Sequence, residues 1–229
     1  ITCFENKIIK ATSMVSDHRA IIYGDNSSEK YINSLAEYYL KNSVALSGVM
    51  GLTKSAKIFS ENFHTGKTNT RNLLLHELIN INEIKLAEGS FEKAEKQDLE
   101  IISELEYQFI KESDIVRGRT RNDMLSTTKE LIQSNSVFKW IANGNIVSVS
   151  IITRRTKSTG IIGLVYTPPE FRGKGYATGC VLKLSEQILK SGYKSCGLYT
   201  DVSNPVSNSI YRKIGYKKIS EFNDIRFLY

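Results

Sequence analysis

The chain has 229 residues, 41% hydrophobic and 24% charged, with a formal net charge of +7. This length can bury a core in one large or two small domains, the composition is ordinary for a globular fold, and no run approaches the roughly 18 apolar residues of a membrane helix, so no membrane partner is expected. The basic residues are scattered (Arg154, Arg155, Lys157, Arg172, Lys174, Arg212, Lys213, Lys217, Lys218) without a continuous tract or an aromatic RNA-reading signature, so no nucleic-acid partner is expected either; the charge serves solubility or attracts phosphates.

The chain starts at Ile1 rather than methionine and is expected to lack a few residues at its start; what is present carries no apolar signal core. Cys3, Cys180 and Cys196 form no paired spacing and are expected to be free thiols, the last two buried in a helix and a strand, which suits a cytoplasmic location.

In chain order, Ile8–Val15 reads as a strand. A helix is expected over Ser28–Lys41, with Leu35, Tyr38 and Tyr39 among its apolar positions, and another over Lys54–Phe63. Between them lie Gly48 and Gly51, with no phosphate-loop pattern after them. His64 and His76 lack metal-ligand spacing and read as surface or core residues, so no metal is expected. A polar join near Ile81–Gly89 divides the chain into domains 1–80 and 81–229.

The second part opens with a strand at Ser90–Glu95, a helix from an N-cap at Asp98 to about Lys111, and a helix over Asn122–Gln133. Strands Val137–Ala142 and Ile146–Ile152 flank Asn143-Gly144-Asn145, a hairpin signal, and Phe138 and Trp140 are most simply its core residues. Strand Ile161–Tyr166 leads to a helix bearing Val181, Leu184 and Ile188. Strand Ser195–Thr200, helix Pro205–Lys213 and strands Tyr216–Phe222 and Ile225–Tyr229 complete an α/β fold, a mixed sheet flanked by helices.

Thr167-Pro-Pro-Glu-Phe-Arg172-Gly-Lys-Gly175-Tyr-Ala177 stands between that apolar strand and that helix. The first amides of a helix have no intrahelical acceptor and the macrodipole is positive there, so this is an anion site; Gly173 and Gly175 let backbone amides approach a phosphate. The loop lacks the G-x-x-x-x-G-K-[ST] of nucleoside triphosphate sites, and the dinucleotide pattern fails at Thr178. Taken alone, a glycine turn before a helix is also an ordinary αβ connection.

Arg172, Gly175 and Ala177 together form R-x-x-G-x-A, which resembles the acetyl-CoA pyrophosphate loop of the GCN5-related N-acetyltransferases (GNAT). Downstream, Asn204-Pro-Val-Ser-Asn208-Ser-Ile-Tyr211-Arg-Lys-Ile-Gly215-Tyr216 is similar to that family's N-x-x-A-x-x-x-Y-x-K-x-G-F, with Ser207 for alanine and Tyr216 for phenylalanine. The resemblance covers about residues 89–229. It implies the acyl-CoA N-acyltransferase fold, with a mostly antiparallel central sheet, and weakly suggests that the first 80 residues are a smaller, degenerate copy.

The resemblance also implies a site. The backbone of Val165, Tyr166 and Thr167 would hold the pantetheine arm of acetyl-CoA. Arg172, Gly173, Lys174, Gly175, Tyr176 and Ala177 would cradle its pyrophosphate, with Asn204 and Asn208 as further polar contacts. A primary amine, on a small molecule or a peptide, would attack the thioester directly; Tyr211 would protonate the leaving thiolate, and a backbone amide near Tyr166–Thr167 would meet the oxyanion. Glu104, Glu106, Glu112 and Asp201 are carboxylates available as a general base, and a water chain is the alternative. Tyr211 could instead simply pack against the sheet, a non-catalytic acyl-CoA sensor on the same fold is the competing reading, and a homodimer is left open.

Overall fold

The computed structural model describes residues 1–24, 27–113 and 120–229. These fall into two compact units: one takes in Ile1–Leu75, Thr200–Pro205 and Lys218–Tyr229, the other His76–Tyr199 and Val206–Lys217. The units are interleaved in sequence rather than divided at residue 80, because the last strand pairs with an early one.

In the first unit, β1 (Thr2–Glu5), β2 (Ile8–Ser16) and β3 (Arg19–Gly24) form two successive antiparallel hairpins. Their two-residue turns, Asn6-Lys7 and Asp17-His18, have positive φ at both positions, the type I′ geometry that matches strand twist. Helix α1 (Glu29–Lys41) crosses from β3 to β4 (Gly48–Leu52), which pairs with β3 in parallel; α2 (Thr53–Phe63) and β5 (Lys67–Leu78) follow. Ile32, Leu35, Ala36 and Tyr39 recur on one face of α1 and are buried against Ala11, Ala20, Ile22 and Val49. Burying a side chain such as Ile32 or Leu35 stabilises by about 1.5–3 kcal/mol.

The strand β11 (Lys217–Leu228) enters this unit beside β4, with Asn223 opposite Gly51 and Asp224 opposite Met50. Two final strands, Tyr216–Phe222 and Ile225–Tyr229, are expected from the sequence, and the structure corrects this to one. Asn223 and Asp224 are both buried, and Arg19 Nη2 donates to both oxygens of Asp224 at 2.7 Å, so ladder and ion pair override the local preference. The unit's strand order is β1-β2-β3-β4-β11-β5.

The second unit contains β6 (Ser90–Lys93), α3 (Leu99–Ser113), α4 (Arg121–Gln133), β7 (Val137–Ala142), β8 (Asn145–Arg155), β9 (Thr159–Tyr166), α5 (Tyr176–Lys190), β10 (Ser195–Asp201) and α6 (Pro205–Ile214). Its strands run β10-β9-β8-β7-β6, antiparallel except for β9 and β10. The Asn143-Gly144 turn again has φ positive at both residues, as its sequence signal requires. Side chains alternate along β7: Phe138 and Trp140 pack towards α5, whereas Val137 joins Val149, Ile151 and Tyr166 beneath α3 and α4. Gly179 lets α5 sit close to Trp140; a Cβ there would lie 2.9 Å from the indole ring. The antiparallel pair, parallel crossover, second helix and long strand of β8 to β11 repeat the element order of β2 to β5.

Asp98 does not open α3 as its N-cap. Glu95 caps a 3-10 turn over Lys96–Asp98, and Asp98 returns the bond by accepting from the Glu95 amide at 2.7 Å. The same carboxylate oxygen meets Lys139 Nζ at 2.7 Å, both side chains being under a tenth exposed. Removing one partner of such a pair strands the other charge in the interior. Asp98→Ala is therefore expected to destabilise the protein by about 3–5 kcal/mol, read as a lowered urea midpoint at unchanged slope.

Candidate functional site

The site forms where β9 and β10 part. The two strands pair in parallel from Thr159–Ser195 to Ile162–Leu198, and Gly163–Tyr166 then continue without a partner in β10. The register on the opposite side explains the departure. Ile151 faces Gly163 and Ser150 faces Val165, so Leu164 is an extra residue, a bulge in β9. Its φ is +46°, a left-handed conformation uncommon for a bulky side chain and costing about 1–3 kcal/mol. Val165, Tyr166 and Thr167 thus lie on a strand end whose backbone edge is open towards β10.

Hydroxyls secure that strand end. Ser148 Oγ donates to Tyr166 O at 3.2 Å, and Thr167 Oγ1 donates to Ser148 Oγ at 3.0 Å. Pro168 and a 3-10 turn over Pro169–Phe171 end the pairing, and the chain enters the glycine loop. Gly173 and Gly175 have φ of +77° and +84°, and Gly175 is the left-handed N-cap of α5. Helical bonding begins with Gly179 N–H to Gly175 O at 3.0 Å, leaving the amides of Tyr176, Ala177 and Thr178 outside the helical ladder. Residues 172–175 are exposed and Tyr176–Thr178 half-buried, so the loop and the helix N-terminus are open to an anion from solvent. Lys174 Nζ lies 5.9 Å above the Phe171 ring.

Arg172, expected to reach towards phosphate, has its guanidinium engaged by neighbouring groups of its own unit while remaining partly exposed. Nε donates to Thr167 O at 2.8 Å and Nη2 donates to Glu112 Oε2 at 2.7 Å. The other Glu112 oxygen accepts from the Tyr166 hydroxyl at 2.6 Å. Desolvation alone would raise the Glu112 pKa; the bonds from Tyr166 and Arg172 outweigh it and hold the carboxyl below its usual range. Burial, then the bond to Glu112, pushes the Tyr166 phenol up to about 12.

Tyr211 and Asn208 lie on α6, both under a tenth exposed. Tyr211 belongs to the buried cluster of Ile162 and Leu198, the last paired residues before the fork, with Val165 packed at its margin. Its ring meets Tyr216 edge to face at 5.9 Å, and burial raises the phenol pKa above its usual value. Asn204 falls in the Thr200–Pro205 segment that clusters with the first unit, and it is exposed. Residues 165–167 and 172–177, Asn208 and Tyr211 all belong to the second unit, and within it Val165 packs against the cluster that contains Tyr211.

Three of the four candidate bases are poorly suited to accept a proton. Glu104 is drawn down to about 2, chiefly by hydrogen bonds from Arg121 and then Gln108. For Asp201 desolvation is opposed and outweighed by bonds from Ser203 and Arg71, leaving its pKa lowered. With Glu112, three of the four carboxylates are held as anions; Glu106 is buried within α3. Sequence reasoning missed Leu164, whose bulge leaves no compositional trace, and Ser148, one of several serines in an alternating strand. It found Glu112 but not its bond to Arg172, because 60 residues of chain separate them.

Among the described residues, no helix is long and apolar enough to span a membrane. Cys180 and Cys196 are fully buried, and burial pushes both thiols up to about 12, whereas Cys3 is half-buried. In the native protein a thiolate-directed alkylating reagent is expected to modify Cys3 alone, and all three after unfolding, as counted by intact-mass spectrometry.

Residues 144–225 match the family described as FR47-like protein. No curated protein sequence matches the chain significantly. Among solved structures, an acetyltransferase from the GNAT family of Colwellia psychrerythraea is similar over 99% of this chain and 84% of its own, at 12% identity and a TM-score of 0.68. A GCN5-related N-acetyltransferase from Sphaerobacter thermophilus is similar over 94% of this chain and 75% of its own, at 15% identity and a TM-score of 0.64. The chain thus has the mixed, mostly antiparallel α/β fold of the GNAT acyl-CoA N-acyltransferases, and the FR47-like match spans the strand, the glycine loop and the helices that form the candidate site.

Proposed function

We propose that the chain is an N-acetyltransferase that transfers the acetyl group of acetyl-CoA to a primary amine. The observation that carries this reading is the fork: an open strand edge at Gly163–Tyr166 leads directly into an exposed turn of positive-φ glycines and a helix N-terminus. An extended amide-bearing arm can add to the edge as a strand would, and a pyrophosphate can collect the loop amides. Ligands carrying only one of the two groups would use half of this surface.

In the proposed reaction the neutral amine attacks the thioester carbonyl, the C–N bond forms to give a tetrahedral oxyanion, and its collapse breaks the C–S bond. The oxyanion is met by a backbone amide near Tyr166–Thr167. Tyr211 gives its proton to the leaving thiolate, and the phenolate recovers one from the proton that nitrogen releases. Burial keeps the phenol protonated at neutral pH, as a proton donor must be, and the proton moves as negative charge develops on sulfur. Because three candidate carboxylates are already held as anions by cationic or hydroxyl partners, removal of the amine proton is assigned to water.

We propose further that the first unit is a degenerate copy without a cofactor site. Its connection from β3 to α1 spans only residues 25–28, against 167–175 in the second unit. Beyond the last pair, Ile21 with Met50, its two strands stay close, since a Cβ on Gly51 would lie 2.8 Å from Ile22 O.

Two measurements test the proposal. Acetyl-CoA should raise the melting temperature of the wild-type chain, and Ala177→Glu, which sets a carboxylate against the phosphate position, should abolish that rise with the fold retained. Better stabilisation by ATP or NAD than by coenzyme A would contradict the assignment. With a working amine, Tyr211→Phe should lower kcat by about 10²–10⁴-fold while leaving coenzyme A affinity nearly unchanged. Since burial raises the Tyr211 pKa, the alkaline fall in wild-type kcat should lie above pH 10. A near-normal kcat for the variant would remove Tyr211 from the mechanism.

A further inference from the structure

The cofactor loop is the part of the site least able to hold its own shape. Two of its residues are glycines with positive φ and no Cβ contact closer than 3.7 Å, and its backbone is exposed. Such a segment loses much conformational freedom on binding unless something orders it beforehand. The only strong polar ties from the loop into the rest of the unit, among the described residues, run through the Arg172 side chain. Its guanidinium meets the carbonyl that ends β9, Thr167 O, at 2.8 Å and the carboxylate at the end of α3, Glu112, at 2.7 Å. Glu112 in turn accepts from Tyr166 at 2.6 Å, and the guanidinium lies 5.6 Å from the centre of the Tyr166 ring. One carboxylate on α3 therefore fixes the last residue of the open strand and the first residue of the loop at the same time.

We propose that Glu112 is a positioning residue which, through Arg172, holds the Arg172–Ala177 backbone in its anion-accepting shape, so that phosphate is bound by loop amides while the Arg172 side chain serves as a brace. This rests on the acetyltransferase reading. It differs from a role in which the guanidinium itself binds phosphate: there the carboxylate would compete with the ligand, and its removal would tighten binding. It also differs from a role for Glu112 as a base, which would appear in turnover. In the brace, the carboxylate acts only through the loop.

The test compares wild type, Glu112→Ala, Arg172→Ala and the double variant. Acetyl-CoA binding is measured by calorimetry, steady-state constants with a working amine, and amide hydrogen exchange on the free proteins. Because the pair is partly exposed, Glu112→Ala should weaken acetyl-CoA binding by about three- to fivefold, within the range of surface ion pairs. The KM for acetyl-CoA should rise in parallel, with kcat and the acceptor KM within about twofold of wild type. The double variant should bind no worse than Arg172→Ala, since the two act as one unit. Exchange of the 172–178 amides should quicken in Glu112→Ala without any ligand present. Glu112→Gln, which keeps an acceptor for Tyr166, should fall between wild type and Glu112→Ala. Unchanged or tighter binding by Glu112→Ala, additive losses in the double variant, or a loss confined to kcat would each overturn the proposal. A wild-type chain that binds no coenzyme A would overturn the acetyltransferase reading and the brace with it, whereas wild-type binding with an unaltered Glu112→Ala would overturn the brace alone.

Discussion

One extra residue in one strand sets the geometry of the candidate site. Had β9 kept its register, Gly163–Tyr166 would continue to alternate against β8 without interruption; instead Leu164 is inserted between the partners of Ser150 and Ile151. The bulge re-aims the strand, and its pairing with β10 ends within the same stretch, at Ile162 and Leu198. A left-handed leucine costs energy that local sequence does not return, so it persists because the surroundings over-determine it. Val149, Ile151 and Tyr166 pack on one face of this region, and Ile162, Val181 and Leu184 on the other. Strain of this kind lies beside an open backbone edge, where the proposed cofactor arm would add. The edge offers unused hydrogen-bonding groups that a fully paired strand would not have.

The loop beyond the fork is held from three directions. Prolines at 168 and 169 remove donors where the strand must end. Ser148 ties Thr167 and the Tyr166 carbonyl to β8, and Glu112 ties Arg172 and the Tyr166 hydroxyl to α3. Close packing of Gly179 on Trp140 then sets the position of α5, and with it the direction of its amides. Ser148 thus joins β8 to the strand end, and Glu112 joins α3 both to that strand end and to the first residue of the loop that would bind phosphate. A loop ordered in advance binds more tightly than one ordered by its ligand, because less freedom remains to be lost.

The elements legible in the sequence were those whose local chemistry and tertiary role agree. Asn143-Gly144 turns because both residues tolerate positive φ, and the glycine loop is readable because Gly173 and Gly175 adopt a conformation other residues rarely enter. The face of α1 follows from its 3.6-residue period at Leu35 and Tyr39, whereas Tyr38, also read as one of its apolar positions, is exposed. What stayed hidden depended on distant partners. The Asn6-Lys7 and Asp17-His18 turns use the same backbone geometry without a glycine to mark it. Asn223-Asp224 looks like a turn until Arg19 and β4 are placed beside it. Asp98 resembles an N-cap until Glu95 and Lys139 claim its carboxylate. Arg172 carries the motif in sequence, while its side chain is engaged with Glu112 in the structure. The acceptor leaves no such mark, because its pocket is a matter of shape rather than of any short pattern.

The most direct measurement is a residue-resolved map of coenzyme A on the free chain. In an amide-resolved NMR titration, the account predicts perturbations concentrated at Gly163–Thr167 and at residues 173–178, with little change at β3 and β4 of the first unit. That pattern would show the open edge and the helix N-terminus acting as one cofactor surface. Perturbations centred on residues 20–24 and 48–52, or a titration that leaves the 173–178 amides unmoved while the ligand binds, would contradict it.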